Sequence, residues 1–222
     1  MKRVLFSLIA IVFCGACQRG GSDVPAHAFV VPNLLAQSEM PRDLLKINSL
    51  AVLPAQISPQ VQYPEGWEST VTQELNQAAR EQLDLSLIAE SDVQSAFKSA
   101  PVRQPLSPEE ATKLGKRLGA DGLLSTTILH YVKRVGSAVG ATTPAGVDFS
   151  MSLIRASDGK EVWAASYHFQ DEALSENLFK VKERMNDGQG PGWRRADDLM
   201  AGGFRSALSD LSTKRLAQFS GH

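Results

Sequence analysis

The residue whose chemistry stands out most clearly is Cys17, one of only two cysteines in the chain. It follows a segment that begins with Lys2 and Arg3 and continues as an apolar run over residues 4–13. This run is much shorter than the roughly 20 residues that a transmembrane helix needs. A positive start, a short apolar run and small residues before a cleavage point are typical of a secretory signal. The sequence therefore predicts export, with Cys17 as the first residue of the mature protein.

Small residues precede Cys17, and the pattern resembles the lipobox of bacterial lipoproteins, although Cys14 stands where leucine is usual. The resemblance implies that residues 1–16 are a cleaved signal peptide and that Cys17 is the lipidation site. Several acyl chains on one residue give stable membrane anchoring. Gln18, in the place of an aspartate, implies the outer membrane by the sorting behaviour of enterobacterial lipoproteins. The alternative is ordinary cleavage near Ala16 that leaves Cys17 unmodified.

The composition excludes several classes of protein. Once the signal is removed and Cys17 is acylated, no thiol remains for a disulfide, a thiolate metal site or a nucleophile. The formal net charge is −1, so the basic footprint of a nucleic-acid-binding protein is missing. Hydrophobic residues make up 43% of the chain, which is enough to fill the core of one domain.

The other residue types that could do chemistry are scattered. His130 and His168 lie on predicted strands, but a zinc site needs a third ligand, and alternation places His168 opposite Trp163 on the wetter face. We interpret both histidines as structural or surface residues. No serine lies in a G-x-S-x-G turn, and the glycines of residues 188–192 lack the preceding strand of a dinucleotide motif. The sequence predicts no catalytic, cofactor-binding or metal-binding residue, and hence a non-enzymatic protein.

A candidate partner contact is formed by Trp193, Arg194 and Arg195, which follow a glycine-rich loop over residues 186–192. Trp and Arg are enriched among the residues that dominate binding energy at protein interfaces. This pattern indicates that the loop and its flank contact a partner. The alternative is that Trp193 packs the last helix onto the core while the arginines pair with the aspartates that follow.

Residues 17–46 are predicted to be a lipidated tether, because glycines and prolines interrupt any regular pattern there. Its apolar part, residues 29–35, is too apolar for a wholly solvated linker. That part could add a strand to a sheet edge, in its own subunit or in another. It could equally pack against the body without pairing.

The body, residues 47–222, shows local signals for strands and helices. A short apolar run over residues 49–54 predicts a buried strand, and apolar residues at helical spacing from Trp67 predict an amphipathic helix. Ser91 is predicted to cap a brief helix, and Ser107 to open another through a capping box.

Three long strands then follow, the last two joined by a turn over residues 157–160. A flexible connection containing Gly136 and Gly140 is predicted between the first two of them. Helices are expected over residues 174–181 and from about residue 196 to residue 216. The fold class is therefore α/β, a single domain with a mixed sheet of about five strands in the order β-α-β-α-α-β-β-β-α-α, covered by helices.

Three motifs carry a resemblance to a known family. They are the opening strand over residues 50–54, the helix end and strand start over residues 116–124, and the hairpin over residues 149–163. They resemble a superfamily of bacterial outer-membrane lipoproteins that includes the curli secretion protein CsgG, the penicillin-binding-protein activator LpoB and the amino-terminal domain of TolB. The match covers roughly residues 46–212. All three motifs are structural, so the resemblance implies fold and location rather than activity.

Together these features predict a non-enzymatic lipoprotein on the periplasmic face of the outer membrane. It would act as a partner-binding or accessory module in envelope assembly, transport or peptidoglycan synthesis. Its expected partners are the membrane, through the lipid anchor, and an envelope protein or a second copy of itself, with no nucleic acid and no cofactor. The alternative is an envelope hydrolase or a small-ligand-binding protein whose scattered site the sequence does not reveal.

Overall fold

The structure is a computed structural model that describes residues 33–38, 41–99, 105–136, 141–170 and 195–219. The chain divides into the units Met1–Val30 and Val31–His222, and every described residue belongs to the second unit. The described strands are β1 (Leu34–Gln37), β2 (Ser49–Val52), β3 (Gln56–Ile57), β4 (Ser86–Leu87), β5 (Gly122–Val132), β6 (Val135–Gly136), β7 (Ala141–Thr143), β8 (Gly146–Arg155) and β9 (Glu161–Gln170). The described helices are a 3-10 helix (Pro41–Lys46), α1 (Trp67–Gln82), α2 (Glu90–Ser99), α3 (Pro108–Leu118) and α4 (Ala196–Phe219).

The main sheet is mixed, as predicted, and has seven strands in the order β1-β9-β8-β5-β2-β4, with β3 pairing β5 beyond β2. Strands β2, β3 and β4 belong to the parallel part, whereas β5, β8, β9 and β1 form an antiparallel series. The single α/β domain is confirmed. The expected count of about five strands is too low, because β1 and β3 have only four and two residues and show no clear periodicity.

Part of the segment assigned to the tether belongs to this sheet. Residues 34–37 pair antiparallel with β9 in the same chain, with Leu34 opposite Tyr167. The following 3-10 helix is tied to the hairpin, since Asp43 lies 2.5 Å from a guanidinium nitrogen of Arg155. The sequence did not decide whether this segment would pair with a sheet edge in its own subunit or in another subunit. Residues 34–37 pair with an edge in their own subunit.

The two faces of the sheet bury different amounts of apolar surface. One face carries the larger core, which includes Phe149 and Trp163 of the sheet together with residues of α1 and α4, and the Phe149 ring packs against Phe204 of α4. The other face is covered by α2 and α3, which pack on Leu123 and its neighbours near the start of β5. The rest of that second face carries half-buried polar residues such as Ser150. The alternation of buried and open residues along β8 follows directly from this difference.

The helix and turn signals are mostly confirmed. Ser107 accepts a hydrogen bond from the Glu110 backbone N–H while the Glu110 carboxylate accepts from the Ser107 N–H at 2.9 Å, which completes the capping box. The helix ends at Gly119 with φ of 65°, a conformation that favours glycine. The turn over residues 157–160 is present, with the Arg155 N–H donating to the Lys160 carbonyl at 2.8 Å.

Two local expectations are wrong. Helix α2 begins at Glu90, so Ser91 lies inside the first turn of the helix. The Ser91 hydroxyl donates to the Asp92 carboxylate and does not cap the helix. The connection between the first two long strands is not purely flexible, because β6 and β7 pair as a small antiparallel sheet. The expected helix over residues 174–181 lies outside the described residues.

Candidate functional site

The structure places only one of the sequence-predicted site residues. Cys17, Trp193 and Arg194 lie outside the described residues, so lipidation and the first two partner contacts remain predictions. Arg195 directly precedes α4, its side chain is 76% exposed, and its guanidinium lies 3.4 Å from the Asp197 carboxylate. This is the pairing with a following aspartate that the sequence left as the alternative role of the arginines.

The two histidines lie in one cross-strand row with an aspartate. His130 of β5 is opposite Asp148 of β8, which is opposite His168 of β9. His168 is on the exposed face, as alternation predicted, with Nδ1 2.5 Å from Oδ1 of Asp148. The His130 ring instead lies beside Gly146. Within the described part of the chain, no group of three histidine, cysteine or acidic residues is arranged to hold a metal ion.

A groove lies where the parallel strands β3 and β5 end. Strand β3 stops at Ile57, whereas β5 continues to Val132. The chain after β3 donates one more hydrogen bond, from the Ser58 N–H to the Ile128 carbonyl at 2.9 Å, and then turns away. Residues 60–64 and residues 129–133 face each other across a space of about 700 Å³. Ligands of open α/β sheets commonly bind at the carboxyl ends of strands, and this groove has that position.

Aromatic side chains support the groove from the side of the main core. The Trp67 ring lies 5.7 Å from Tyr63 and 4.3 Å from Tyr131, measured between ring centroids. The Tyr63 hydroxyl donates to the Glu68 carboxylate at 2.6 Å, and this bond raises the pKa of Tyr63. Three aromatic rings from the loop, α1 and β5 are thus in contact, so the wall of the groove is fixed by packing.

A titratable cluster lies behind this aromatic wall. The Tyr131 hydroxyl donates to the Asp197 carboxylate, and burial, with this bond, raises the pKa of Tyr131. Burial also raises the pKa of Glu74, and the negative charges of Asp197 and Asp198 raise it further. Asp197 therefore contacts both Tyr131 and Arg195, so this one carboxylate connects the groove wall to Arg195.

The surface of the groove is apolar with a polar rim. Tyr63 and Leu129 are 38% and 48% exposed although both are large apolar side chains. Gln60 and Gln62 provide amides along one side, and of the described residues that line the space only Lys133 carries a formal charge. The Lys133 ammonium lies 6.0 Å from the centre of the Tyr131 ring.

Sequence reasoning did not find this groove. The reason is visible at Leu129, which has no partner in the register between β5 and β8, since Ile128 is opposite Phe149 and His130 is opposite Asp148. This bulge turns an apolar residue of a regular strand toward solvent. Strand pairing decides where such a bulge falls, so the apolar pattern of β5 alone contains no signal for it.

Comparison with known proteins finds solved structures that are similar at low sequence identity. No model of a known protein family matches the sequence, and no curated protein matches it. Similar solved structures include the PelC dodecamer of Paraburkholderia phytofirmans, with 14% identity, coverage of 81% of this chain and 97% of that one, and a TM-score of 0.49. Lipoprotein GNA1162 of Neisseria meningitidis matches with 17% identity, coverage of 64% and 95%, and a TM-score of 0.40.

The carboxy-terminal domain of LpoB from Escherichia coli matches with 13% identity, coverage of 60% of this chain and 96% of that one, and a TM-score of 0.40. LpoB is one of the proteins whose motifs the sequence resembles, whereas membership of the wider superfamily with CsgG and TolB stays a prediction. These values assign no family to the chain. Among the described residues, no helix combines the length and apolarity needed to cross a bilayer.

Proposed function

We propose that this protein is a lipid-anchored accessory module of the bacterial envelope that binds a partner protein through the groove between residues 60–64 and 129–133. In this proposal Cys17 carries the lipid, and Gln18 directs the protein to the periplasmic face of the outer membrane. The chain itself performs no catalysis. Its contribution is to hold an envelope partner close to the membrane, in assembly, transport or peptidoglycan synthesis.

The observation that carries this proposal is the composition of the groove. Protein interfaces have an apolar, aromatic centre that is poor in charge and a polar rim that stays wet. Tyr63, Leu129 and the neighbouring Val61 and Pro64 match the centre, and the amides of Gln60 and Gln62 match the rim. Because an exposed Tyr and an exposed Leu line the same concave surface, burial by a partner would remove apolar area from water.

The sequence motifs support the location of the protein in the envelope rather than the partner contact at the groove. The lipobox pattern before Cys17 and the three structural motifs of the envelope lipoproteins point to the same compartment. Arg195 lies beside Asp197, which is bonded to Tyr131 of the groove wall. The proposal therefore places Arg195 at the periphery of the same contact surface, and includes Trp193 and Arg194 in the contact on the sequence pattern alone.

Site-specific photo-crosslinking in intact cells tests the proposal. A photoreactive benzoylphenylalanine replaces Leu129 in one strain and Leu216 of α4 in a control strain, since these two leucines are 48% and 55% exposed. We expect one envelope protein to be crosslinked from position 129 and not from position 216. Cys17→Ala in the same strains should release the protein from the membrane and reduce the yield of that adduct.

Other crosslinking outcomes would change or refute the proposed function. Adducts only between two copies of the chain would make it an oligomeric scaffold. Equal adducts from positions 129 and 216 would refute the groove as the specific contact. Arg194→Ala combined with Arg195→Ala should leave folding intact and weaken the adduct at position 129, and an unchanged adduct would remove these arginines from the interface.

A further inference from the structure

Among the described residues, no strand pairs with one edge of β5 along the groove. Pairing between β3 and β5 covers Gln56 with Thr127 and Ile57 with Ile128, and the Ser58 N–H gives the last bond on that side. Beyond it, His130, Tyr131 and Val132 pair with β8 on their other side, whereas Leu129 is the bulged residue without a partner in that register. Among the described strands and loops, none donates to or accepts from the groove-facing edge of these four residues. An unpaired strand edge presents main-chain groups that can pair with another chain.

The space beside this edge suits an extended chain. The groove measures about 700 Å³, within the range of 300–1,000 Å³ typical of ligand pockets. Its far wall is the loop of residues 60–64, so a segment lying beside β5 would contact main chain on one side and Tyr63 on the other. In strand addition, main-chain hydrogen bonds supply affinity, and contacts with alternate side chains supply specificity.

The charge at the end of the groove indicates what such a segment would carry. Lys133 carries the single formal charge among the described residues that line the groove, and it lies where β5 ends. The other described lining side chains are apolar or neutral polar groups, together with the imidazole of His130. A partner segment with an acidic residue at this end would pair with the Lys133 ammonium, whereas a basic residue there would be repelled.

The geometry points to a specific mode of recognition: an extended, acidic-ended peptide segment of the partner protein adds as a strand to the open edge of β5 at Leu129–Val132, with its carboxylate at Lys133. This inference rests on the proposed function and names the chemistry of its partner. The contact would continue the sheet along the line of β3 rather than cover a helix face.

Binding of defined peptides to the full chain in detergent tests the mode. The probe is a fluorescent octapeptide of alternating threonine and valine that ends in two glutamates. A second peptide ends in two lysines, and a third has the glutamate sequence with N-methyl groups on alternate backbone nitrogens. Fluorescence anisotropy measures affinity, and hydrogen exchange reports whether the amides of Leu129–Val132 become protected.

We expect the glutamate peptide to bind at least about fivefold more tightly than the lysine peptide, and Lys133→Glu to reverse that preference. The N-methylated peptide should lose about tenfold or more in affinity, because strand addition depends on main-chain hydrogen bonds. Leu129→Asp should weaken binding of the glutamate peptide, whereas the matched exposed variant Leu216→Asp should leave it unchanged. The N-methylated comparison uses the unaltered protein, so it holds even where a variant folds poorly.

Several outcomes would overturn the inference. They are equal affinity for the N-methylated peptide, no preference between the glutamate and lysine peptides, and no protection of the β5 amides. Self-association of the chain that Leu129→Asp abolishes would identify a second copy as the occupant instead. If the crosslink from position 129 to an envelope protein persists while these peptide tests fail, the proposed function stands and only the mode of recognition is refuted.

Discussion

Replacing Glu74 by glutamine should stabilise the protein at neutral pH. Glu74 is half-buried on α1, and among the described residues no hydrogen-bond partner reaches its enclosed oxygen Oε2. Burial raises the pKa of this carboxyl, the negative charges of Asp197 and Asp198 raise it further, and Arg205 lowers it slightly. At neutral pH the folded state therefore holds a carboxylate that would be better solvated in the unfolded chain.

The size of the effect follows from the removed charge, because glutamine still places a polar atom where Oε2 lies. An interaction between partly exposed charges is worth about 0.2–1 kcal/mol, and the half-burial of Glu74 places the expected gain near the upper end, about 1 kcal/mol. For a domain of this size the melting temperature should rise by about 2–4 °C. Glutamine keeps the shape of the side chain and removes the charge, so packing against α4 stays unchanged.

The pH dependence of this gain has a defined sign. Because the folded-state pKa of Glu74 is raised, the stability associated with its protonated form is fully present below the ordinary value of 4.5 and is lost as pH rises through the folded pKa. The advantage of Glu74→Gln should therefore shrink on acidification and reach its full size above the folded pKa.

Urea unfolding and thermal melting between pH 4 and pH 8 would check this prediction. Glu81→Gln is the matched control on the same helix, since Glu81 is exposed and only accepts a hydrogen bond from Gln77. Its stability should change by less than about 0.5 kcal/mol. A loss of stability in Glu74→Gln at pH 7.5 would refute the reasoning, because it would mean that the carboxylate has a favourable partner.

Two further predictions concern packing and a backbone anchor. A Cβ on Gly203 would lie 2.8 Å from Cε1 of Phe149, so Gly203→Ala should destabilise the protein by about 1–3 kcal/mol. A Cβ on Gly202 would meet nothing within 4 Å, so Gly202→Ala should stabilise α4 by about 0.5–1 kcal/mol. If the urea midpoints of Gly203→Ala and Gly202→Ala shift in the same direction, this contrast is contradicted. Asp121→Ala should cost about 1 kcal/mol at pH 7, because the Asp121 carboxylate accepts from the backbone N–H groups of residues 48–49 at 3.1 and 3.0 Å. Burial alone would raise the pKa of Asp121, but these hydrogen bonds lower it. The difference in stability between the wild type and Asp121→Ala should therefore be lost as pH falls through the folded-state pKa of Asp121. Melting curves recorded in acid would show this loss.

Sequence periodicity was sufficient to predict the long strands and helices and their buried faces. The alternation of Val147, Phe149 and Met151 predicted the buried face of β8, and apolar residues at helical spacing predicted the core face of α4. The capping box at Ser107 and the stop at Gly119 were equally local. Each of these signals depends on residues within one or two turns of each other, so it can be recognised without knowing which elements meet in space.

The short elements and the groove depended on contacts between distant parts of the chain. The pairing of Leu34–Gln37 with β9 is determined by an available sheet edge, and nothing within those four residues identifies it. The exposure of Leu129 depends on the bulge between β5 and β8, and the groove depends on where the loop of residues 60–64 turns away from β5.

The sequence by itself therefore determined the α/β class, the order of its long elements and the expectation of an envelope lipoprotein with a lipidated Cys17. Only the tertiary structure decided that the described strands form a seven-stranded sheet, that no described strand pairs with the groove-facing edge at the end of β5, and that Tyr63 and Leu129 line one groove. The physical reason is the range of the interactions. Hydrophobic periodicity and capping act over neighbouring residues, whereas strand register and the shape of a groove arise only when segments far apart in the chain pack together.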